Sequence, residues 1–316
     1  MSLHVPVLAR EVIEGLRIHR GGAYVDATVG GGGHSAMIAE CLGLEERTEQ
    51  DCARGRLIAL DRDLTALEGA RRILAAFSNV TFIHSNYSNL ANALAEAQIE
   101  NVDGVLIDAG FSSLQLDNPA RGFSFQTEGP LDMRLDQSQG ETAAEYLSRV
   151  NEEELAQVLR TYGDVGPARR IARSIIDRSR SNSLKTTSDL AEAIRKALDF
   201  VRGEPEETRT VFQAVRMAVN DELKSLETGV RAALDILAPS GRVAVISFHS
   251  GEDRVVKNIF REASRPLVKL HPDGRIASRE APRARVLTSS PILPEESEMR
   301  NNSRARSAKL RIAEKL

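Results

Sequence analysis

The segment from Tyr24 to Ser35 constrains the fold more than any other part of this chain. Tyr24-Val25-Asp26-Ala27-Thr28-Val29 is a short β-prone run that stops at four consecutive glycines, Gly30 to Gly33. His34-Ser35-Ala36-Met37-Ile38-Ala39-Glu40 then reads as the start of a helix. Glycine suits a backbone that must take positive φ or lie against a ligand, and a run of four gives up much chain entropy on folding. A strand, a glycine turn and a helix in this order predict a nucleotide-like cofactor at the strand's carboxyl end.

The rest of the N-terminal half repeats the strand–helix alternation. Short apolar runs at 57–61, 80–84 and 102–108 read as buried strands, with helical stretches at 63–77 and 88–98 between them. Such alternation predicts an α/β fold, a doubly wound, Rossmann-like parallel sheet. Residues 44–56 are polar and read as a long connection. After Asp108 the pattern breaks: 110–134 is a long loop rich in Gly, Ser, Asn, Pro and Phe, the kind usually retained for function. Residues 142–200 read as helical, with Ile171 and Ile175 on one face and Arg169 and Arg173 on another. A helix over 209–237 with the stripe Phe212, Val215, Val219 and Leu223 follows, then a strand at 242–248 and a late edge strand at 308–312. The expected organisation is a discontinuous sheet domain, 1–134 with 207–316, around an inserted helical substrate-recognition subdomain, 135–206.

Three exclusions come from composition. No apolar run approaches the ~20 residues that span a bilayer, so no membrane association is expected. Met1 to Pro6 lacks the basic and apolar regions of a secretion signal, so the two cysteines, Cys41 and Cys52, which could pair, fit better with a reduced, cytoplasmic setting. No Cys/His cluster has metal-ligand spacing, so no metal is expected. The net charge of −3 conceals an asymmetry: residues 255–316 hold 14 Lys and Arg against 7 Asp and Glu, on an otherwise acidic body. That basic segment suggests contact with a polyanion; a solvated surface segment is the plainer alternative.

Two carboxylates stand at predicted strand ends. Asp61 closes the second strand, where an acidic residue accepts hydrogen bonds from ribose hydroxyls; an ordinary helix cap in Asp61-Arg62-Asp63 is the competing reading. Asp108 closes the fourth strand. Two acidic strand ends with no flanking cation are a poor pyrophosphate site and suit a nucleoside-like cation such as S-adenosylmethionine. Tyr87, just after the third strand, is placed to pack on adenine or to serve as a core aromatic. Three functions stay open on these residues: a methyltransferase, an NAD-dependent oxidoreductase, and a non-catalytic RNA-binding or ribosome assembly factor.

A series of motifs then narrows the choice. They are His4-Val5-Pro6-Val7-Leu8, Gly32-Gly33-His34-Ser35, Asp61-Arg62-Asp63, Ser112-Ser113-Leu114-Gln115-Leu116-Asp117, Arg121-Gly122-Phe123-Ser124-Phe125, Gly129-Pro130-Leu131-Asp132-Met133-Arg134, Thr210 to Arg216, Ser247-Phe248-His249-Ser250 and Asn302 to Ser307. In content and order they resemble the RsmH (MraW) family over essentially the whole chain. The resemblance implies an S-adenosylmethionine-dependent enzyme that methylates the N4 amino group of one cytosine in the decoding region of 16S ribosomal RNA. It implies the small ribosomal subunit as partner and a cytoplasmic monomer or homodimer. It places the cofactor on Gly32, Gly33, His34, Asp61, Tyr87, Asp108 and Gln115. Tyr87 stands where the family often has phenylalanine, Leu114 where it has proline, and Gly251 where it has leucine.

For such a reaction Asp108 is the candidate catalytic residue, accepting a hydrogen bond from the target amino group. Asp108-Ala109-Gly110-Phe111 stands where related amino-methyltransferases carry an Asp/Asn/Ser-Pro-Pro-aromatic loop. C5 methylation would need a cysteine thiolate, and neither cysteine lies near the predicted strand ends. The base must be unpaired or everted. Candidate RNA contacts are Phe111 and Phe123 for stacking, and Arg121, Arg134, Arg209, Arg216, His249, Arg304 and Arg306. Both Phe123 and Phe125 also read as core anchors, and Ser250 with Asp253 reads as a capping box that starts a helix.

Overall fold

The computed structural model describes residues 6–43, 55–110, 112–199, 203–271 and 276–316. The chain divides into two compact units, Met1–Gly110 with Leu223–Leu316, and Phe111–Glu222.

The first unit is built on a seven-stranded sheet. In chain order its elements are α1 (Ala9–Leu16), β1 (Ala23–Asp26), α2 (Gly33–Leu42), β2 (Arg56–Asp61), α3 (Leu64–Ile73), β3 (Val80–His84), α4 (Leu90–Glu96) and β4 (Val102–Asp108). The second unit then contributes α5 (Ser113–Asp117), α6 (Ala143–Arg149), α7 (Glu152–Gly163), α8 (Ala168–Arg180), α9 (Thr187–Ala197) and α10 (Glu207–Val219). The chain continues with α11 (Glu222–Ile236), β5 (Leu237–Ser247), α12 (Ser250–Ala263), β6 (Leu267–Leu270), β7 (Ile276–Glu280), β8 (Ala284–Val286), α13 (Glu296–Asn301) and β9 (Lys309–Lys315).

The sheet order is β3-β2-β1-β4-β5-β9-β8, and β6 and β7 form a separate antiparallel pair. Strands β3 to β5 of this order run parallel; β9 pairs antiparallel to both β5 and β8. Parallel strands are covered on both faces, which is why they read as unbroken apolar runs. Val25, Ile58, Val105 and Val243 point into one core with Leu90, Val230 and Phe260, whereas Leu57, Leu106 and Ala244 point into another with Val12, Leu16 and Ile38. The order reverses direction between β1 and β4, and an open α/β sheet binds its ligand outside the strand ends at such a switch point.

The second unit packs α6 to α10 around Leu147, Leu155, Leu159, Ile171, Ile175, Leu190, Ile194, Val211 and Val215. Phe123, Leu131, Met133 and Leu135 of the preceding loop join the same core. The boundaries therefore differ from the 134 and 207 expected from sequence. Segments 111–134 and 207–222 belong with the helices because their apolar side chains are buried there.

Two element predictions are corrected. The single helix expected over 209–237 is two, α10 and α11, broken at Asn220-Asp221. Asp221 takes φ 48°, a left-handed conformation that ends a helix. Asn220 stabilises the break: its Nδ2 donates to the carbonyls of Met133 and Arg216, and its Oδ1 accepts the Leu135 N–H. The late strand is not an edge, since β9 lies between β5 and β8, with Leu310 and Ala313 fully buried.

Candidate functional site

The carboxyl ends of β1, β2, β4 and β5 bring together the first unit's chemistry-bearing side chains. Thr28 ties β1 to β4: its Oγ1 accepts the Asp108 N–H at 2.7 Å, and the Leu106 carbonyl accepts the Ala27 N–H at 2.9 Å. The glycine turn then reverses the chain. Gly30 and Gly32 take φ 49° and 80°, which side-chain-bearing residues rarely adopt. A Cβ on Gly33 would lie 3.2 Å from Pro6, and one on Gly31 would meet open space. The backbone at Gly31 is thus open to a ligand. No side chain caps the following helix α2 at Gly32, so its first N–H groups are available to an anionic group.

Asp61 fastens the turn from β2. Its Oδ2 accepts the Gly30 N–H and its Oδ1 the Asp63 N–H, both at 2.9 Å. Burial pushes the Asp61 carboxyl up to about 6, against the pull of those two donors. Asp63, not Asp61, caps α3, by accepting the Thr65 N–H. This removes the cap alternative for Asp61.

Asp108 is the most perturbed acid in the group. Its Oδ1 is buried with no hydrogen-bond partner among the described residues, and Oδ2 lies 3.7 Å from His34 Nδ1. Burial, and then the nearby Asp26 and Glu252, push its carboxyl up to about 8. His34 is buried, its Nε2 donates to the Val7 carbonyl at 2.9 Å, and burial holds its imidazole down to about 4.

Sequence reasoning missed Asp26, Ser35 and Glu252. Asp26 accepts from Ser35 Oγ at 2.7 Å and from the Thr28 N–H at 3.1 Å, and burial raises it to about 6. A carboxylate inside the apolar run Tyr24 to Val29 was the available signal. Glu252 is 2% exposed and accepts the Phe248 N–H at 2.8 Å. His249 is the N-cap of α12: its Nδ1 accepts the Glu252 N–H, and Glu252 reaches back to the His249 N–H. The capping box thus begins one residue earlier than the Ser250–Asp253 pair expected. Its partner Asp253 instead holds Arg311.

The other expected site residues are placed as follows. Tyr87 is 5% exposed, with its ring against Gly229 of α11, so it sits in the core rather than open beside the turn. Gln115 forms a capping box with Ser112 at the start of α5. Arg121 is buried and donates to the carbonyls of Arg134 and Leu135. Phe123 is a core residue of the second unit, and Phe125 packs on Phe212 with ring centroids 5.5 Å apart. Arg134 clasps Asp132, and Arg216 clasps Glu222 in a buried bidentate pair. The structure thus places Arg121, Phe123 and Arg216, expected as RNA contacts, inside the second unit with partners there, and leaves Arg134 partly exposed beside Asp132. Arg209 and Arg306 are exposed. Phe111 lies outside the described residues, as does the side chain of Arg304. Among the described residues no His, Cys, Asp and Glu cluster could hold a metal ion, and no helix is long and apolar enough to cross a membrane.

The site therefore joins an open glycine turn, a helix N-terminus without a side-chain cap and three acidic side chains, Asp26, Asp108 and Glu252, the first and last of which push Asp108 up. It matches a ligand that carries an anionic end and a cationic centre, the acidic side chains favouring the latter. Fold and site together define a Rossmann-like methyltransferase. Residues 1–316 match the MraW methylase family. A protein of Carboxydothermus hydrogenoformans named ribosomal RNA small subunit methyltransferase H is 44% identical over 315 residues, covering 99% of this chain and 98% of its own. One of the same name from Methylobacillus flagellatus is 45% identical, covering 100% and 95%. The chain belongs to the MraW methylase family, and it is an enzyme.

Proposed function

We propose that this enzyme transfers a methyl group to the N4 amino group of a cytosine in the decoding region of 16S ribosomal RNA, in the cytoplasm. The relatives' names supply the RNA class, and the observation that carries the chemistry is the orphaned, buried Oδ1 of Asp108 beside the glycine turn. Bound S-adenosylmethionine supplies an electrophilic methyl group on a sulfonium centre.

The chain's own residues account for the rest. The N–H groups at the start of α2 receive the carboxylate of the methionine portion. Asp61 accepts from ribose hydroxyls while holding Gly30 in place. Positive charge beside Asp108 lowers its pKa, so the loaded site contains an ionised acceptor. Cytosine N4 is a weak nucleophile because its lone pair is delocalised into the ring. As its lone pair is drawn towards the methyl group, an acidic amino proton develops, and Asp108 Oδ1 accepts it. Exposed Arg209 and Arg306 are the candidate phosphate contacts that keep a free surface.

The direct experiment is transfer of labelled methyl to small ribosomal subunits from a strain lacking the protein, followed by nucleoside analysis. Label in N4-methylcytidine at one position is expected. Label in another nucleoside, or none, overturns the proposal.

A further inference from the structure

Part of the basic surplus of residues 255–316, together with Arg254 just before it, lies on one helix face. Arg254, Lys257 and Arg261 on α12, and Arg265 just beyond its last turn, are all exposed. With 3.6 residues per turn the four fall within about 80° of arc and span about 16 Å along the helix axis. The opposite face, with Val256, Ile259 and Phe260, is buried against the sheet.

Among the described residues these cations lack neutralising partners: none of the four is in an ion pair, and Arg261 meets only Asn258 Oδ1, at 3.4 Å. The acids of α12 are all engaged elsewhere: Glu252 with the Phe248 N–H, Asp253 with Arg311, and Glu262 with Arg231. Four of the five arginines of α8 present a contrast. Arg169 and Arg173 meet Glu152, Arg170 meets Asp199, and Arg178 meets Asp189 and Glu192. An exposed arginine already paired with a carboxylate gains less from a phosphate than an unpaired one.

The helix that carries the row starts at the reaction centre. It is capped by His249 at the end of β5, and Glu252 in its first turn is one of the charges that raise Asp108. A small anion needs one or two cations; a line of four over ~16 Å matches a linear polyanion. We propose that this face of α12 is a track for the RNA strand flanking the target base, with successive phosphates of a single strand on Arg254, Lys257, Arg261 and Arg265. The inference rests on the RNA reading given above and adds where the strand runs as it leaves the site.

The test replaces all four by glutamine and measures binding of a 20-nucleotide single-stranded RNA over a range of salt. Each lost phosphate contact lowers the slope of log affinity against log salt by about 0.7. The slope is expected to fall by about 2 to 3 and the affinity at low salt by tenfold or more. Affinity for S-adenosylmethionine, read by calorimetry, stays within about threefold, because none of the four side chains enters the core. If four changes together impair folding, Lys257→Gln alone should lower the slope by about 0.7. The charge-retaining R254K/R261K/R265K variant keeps the wild-type slope. A glutamine variant with the wild-type slope, or a lysine variant that loses as much as the glutamine one, overturns the track while wild-type methylation still stands. A wild-type protein that neither binds the RNA nor methylates small subunits overturns the RNA reading itself, and the track with it.

Discussion

Asp108 and His34 face each other at the glycine turn, too far apart for a hydrogen bond. His34 Nε2 donates to the Val7 carbonyl, so its Nδ1 is a bare lone pair, 3.7 Å from Asp108 Oδ2. Burial holds the imidazole down to about 4 and pushes the carboxyl up to about 8. At neutral pH the resting site therefore has a neutral histidine and a protonated aspartic acid. A cationic cofactor reverses the second of these, because positive charge favours the carboxylate. Binding of S-adenosylmethionine near pH 7 is expected to release up to one proton, with affinity rising as pH increases from about 6 to about 8. Calorimetry in buffers of different ionisation enthalpy measures this. An observed enthalpy that does not change with the buffer defeats the assignment.

The same pair governs stability in the free enzyme. Asp108 has a folded pKa above its unfolded value, so its contribution is fully present below about 4 and is lost as pH rises through about 8. His34 has a folded pKa below its unfolded value, so its contribution is present above about 6.5 and is lost as pH falls through about 4. Asp108→Asn removes the first dependence and keeps the shape of the side chain. Urea denaturation should show the variant gaining on the wild type by more than about 1 kcal/mol between pH 5 and pH 9. Parallel curves would show that Asp108 is ionised throughout.

Tyr87 links the core to the end of β3. A methyl group at Gly229 would lie 2.6 Å from Tyr87 Cδ2 and 3.0 Å from its carbonyl oxygen, and backbone cannot yield as a flexible side chain does. Gly229→Ala is expected to cost about 1–3 kcal/mol by overpacking, seen as a lower midpoint in denaturant. Tyr87→Phe keeps the ring in place and should stay within about 1 kcal/mol of wild type. A Gly229→Ala protein as stable as wild type would mean that the ring does not fill this space.

Much of the cofactor site was legible in the sequence because its parts are local. A glycine run after a β-prone segment, and carboxylates at the ends of apolar runs, announce themselves without knowledge of the fold. Asp26 and Glu252 were missed because their roles come from strand ends distant in the chain meeting at the switch point. The capping box of α12 was misplaced by one residue because an imidazole nitrogen accepts a backbone N–H as a hydroxyl does. The second unit was harder to read. Arg121, Arg134 and Arg216 look like phosphate contacts until their internal acceptors are known, and Phe123 looks like a stacking platform until it is seen buried among helices. The outer face of α12 was visible only as a charge surplus, since its pairing state depends on where every nearby acid points.

Arg216 and Glu222 separate a structural arginine from an RNA-binding one. They form a bidentate pair at 2.8 and 3.0 Å across the α10–α11 break, with side chains 10% and 3% exposed. Removing one partner leaves a buried charge without compensation, which typically costs about 3–5 kcal/mol. Arg216→Met should therefore lose roughly that much stability, and Glu222→Leu a similar amount. Replacing both removes two buried charges together, and such a change is often neutral or stabilising. The double variant should recover at least about 2 kcal/mol relative to either single one. Its affinity for RNA should match that of the wild type, because both side chains are nearly buried and engaged with each other. Stability measured through a double-mutant cycle, together with RNA binding of the double variant, reads both expectations. Strictly additive losses would dismiss the pair as a unit, and RNA binding weakened in the restabilised double variant would return Arg216 to the RNA-contacting surface.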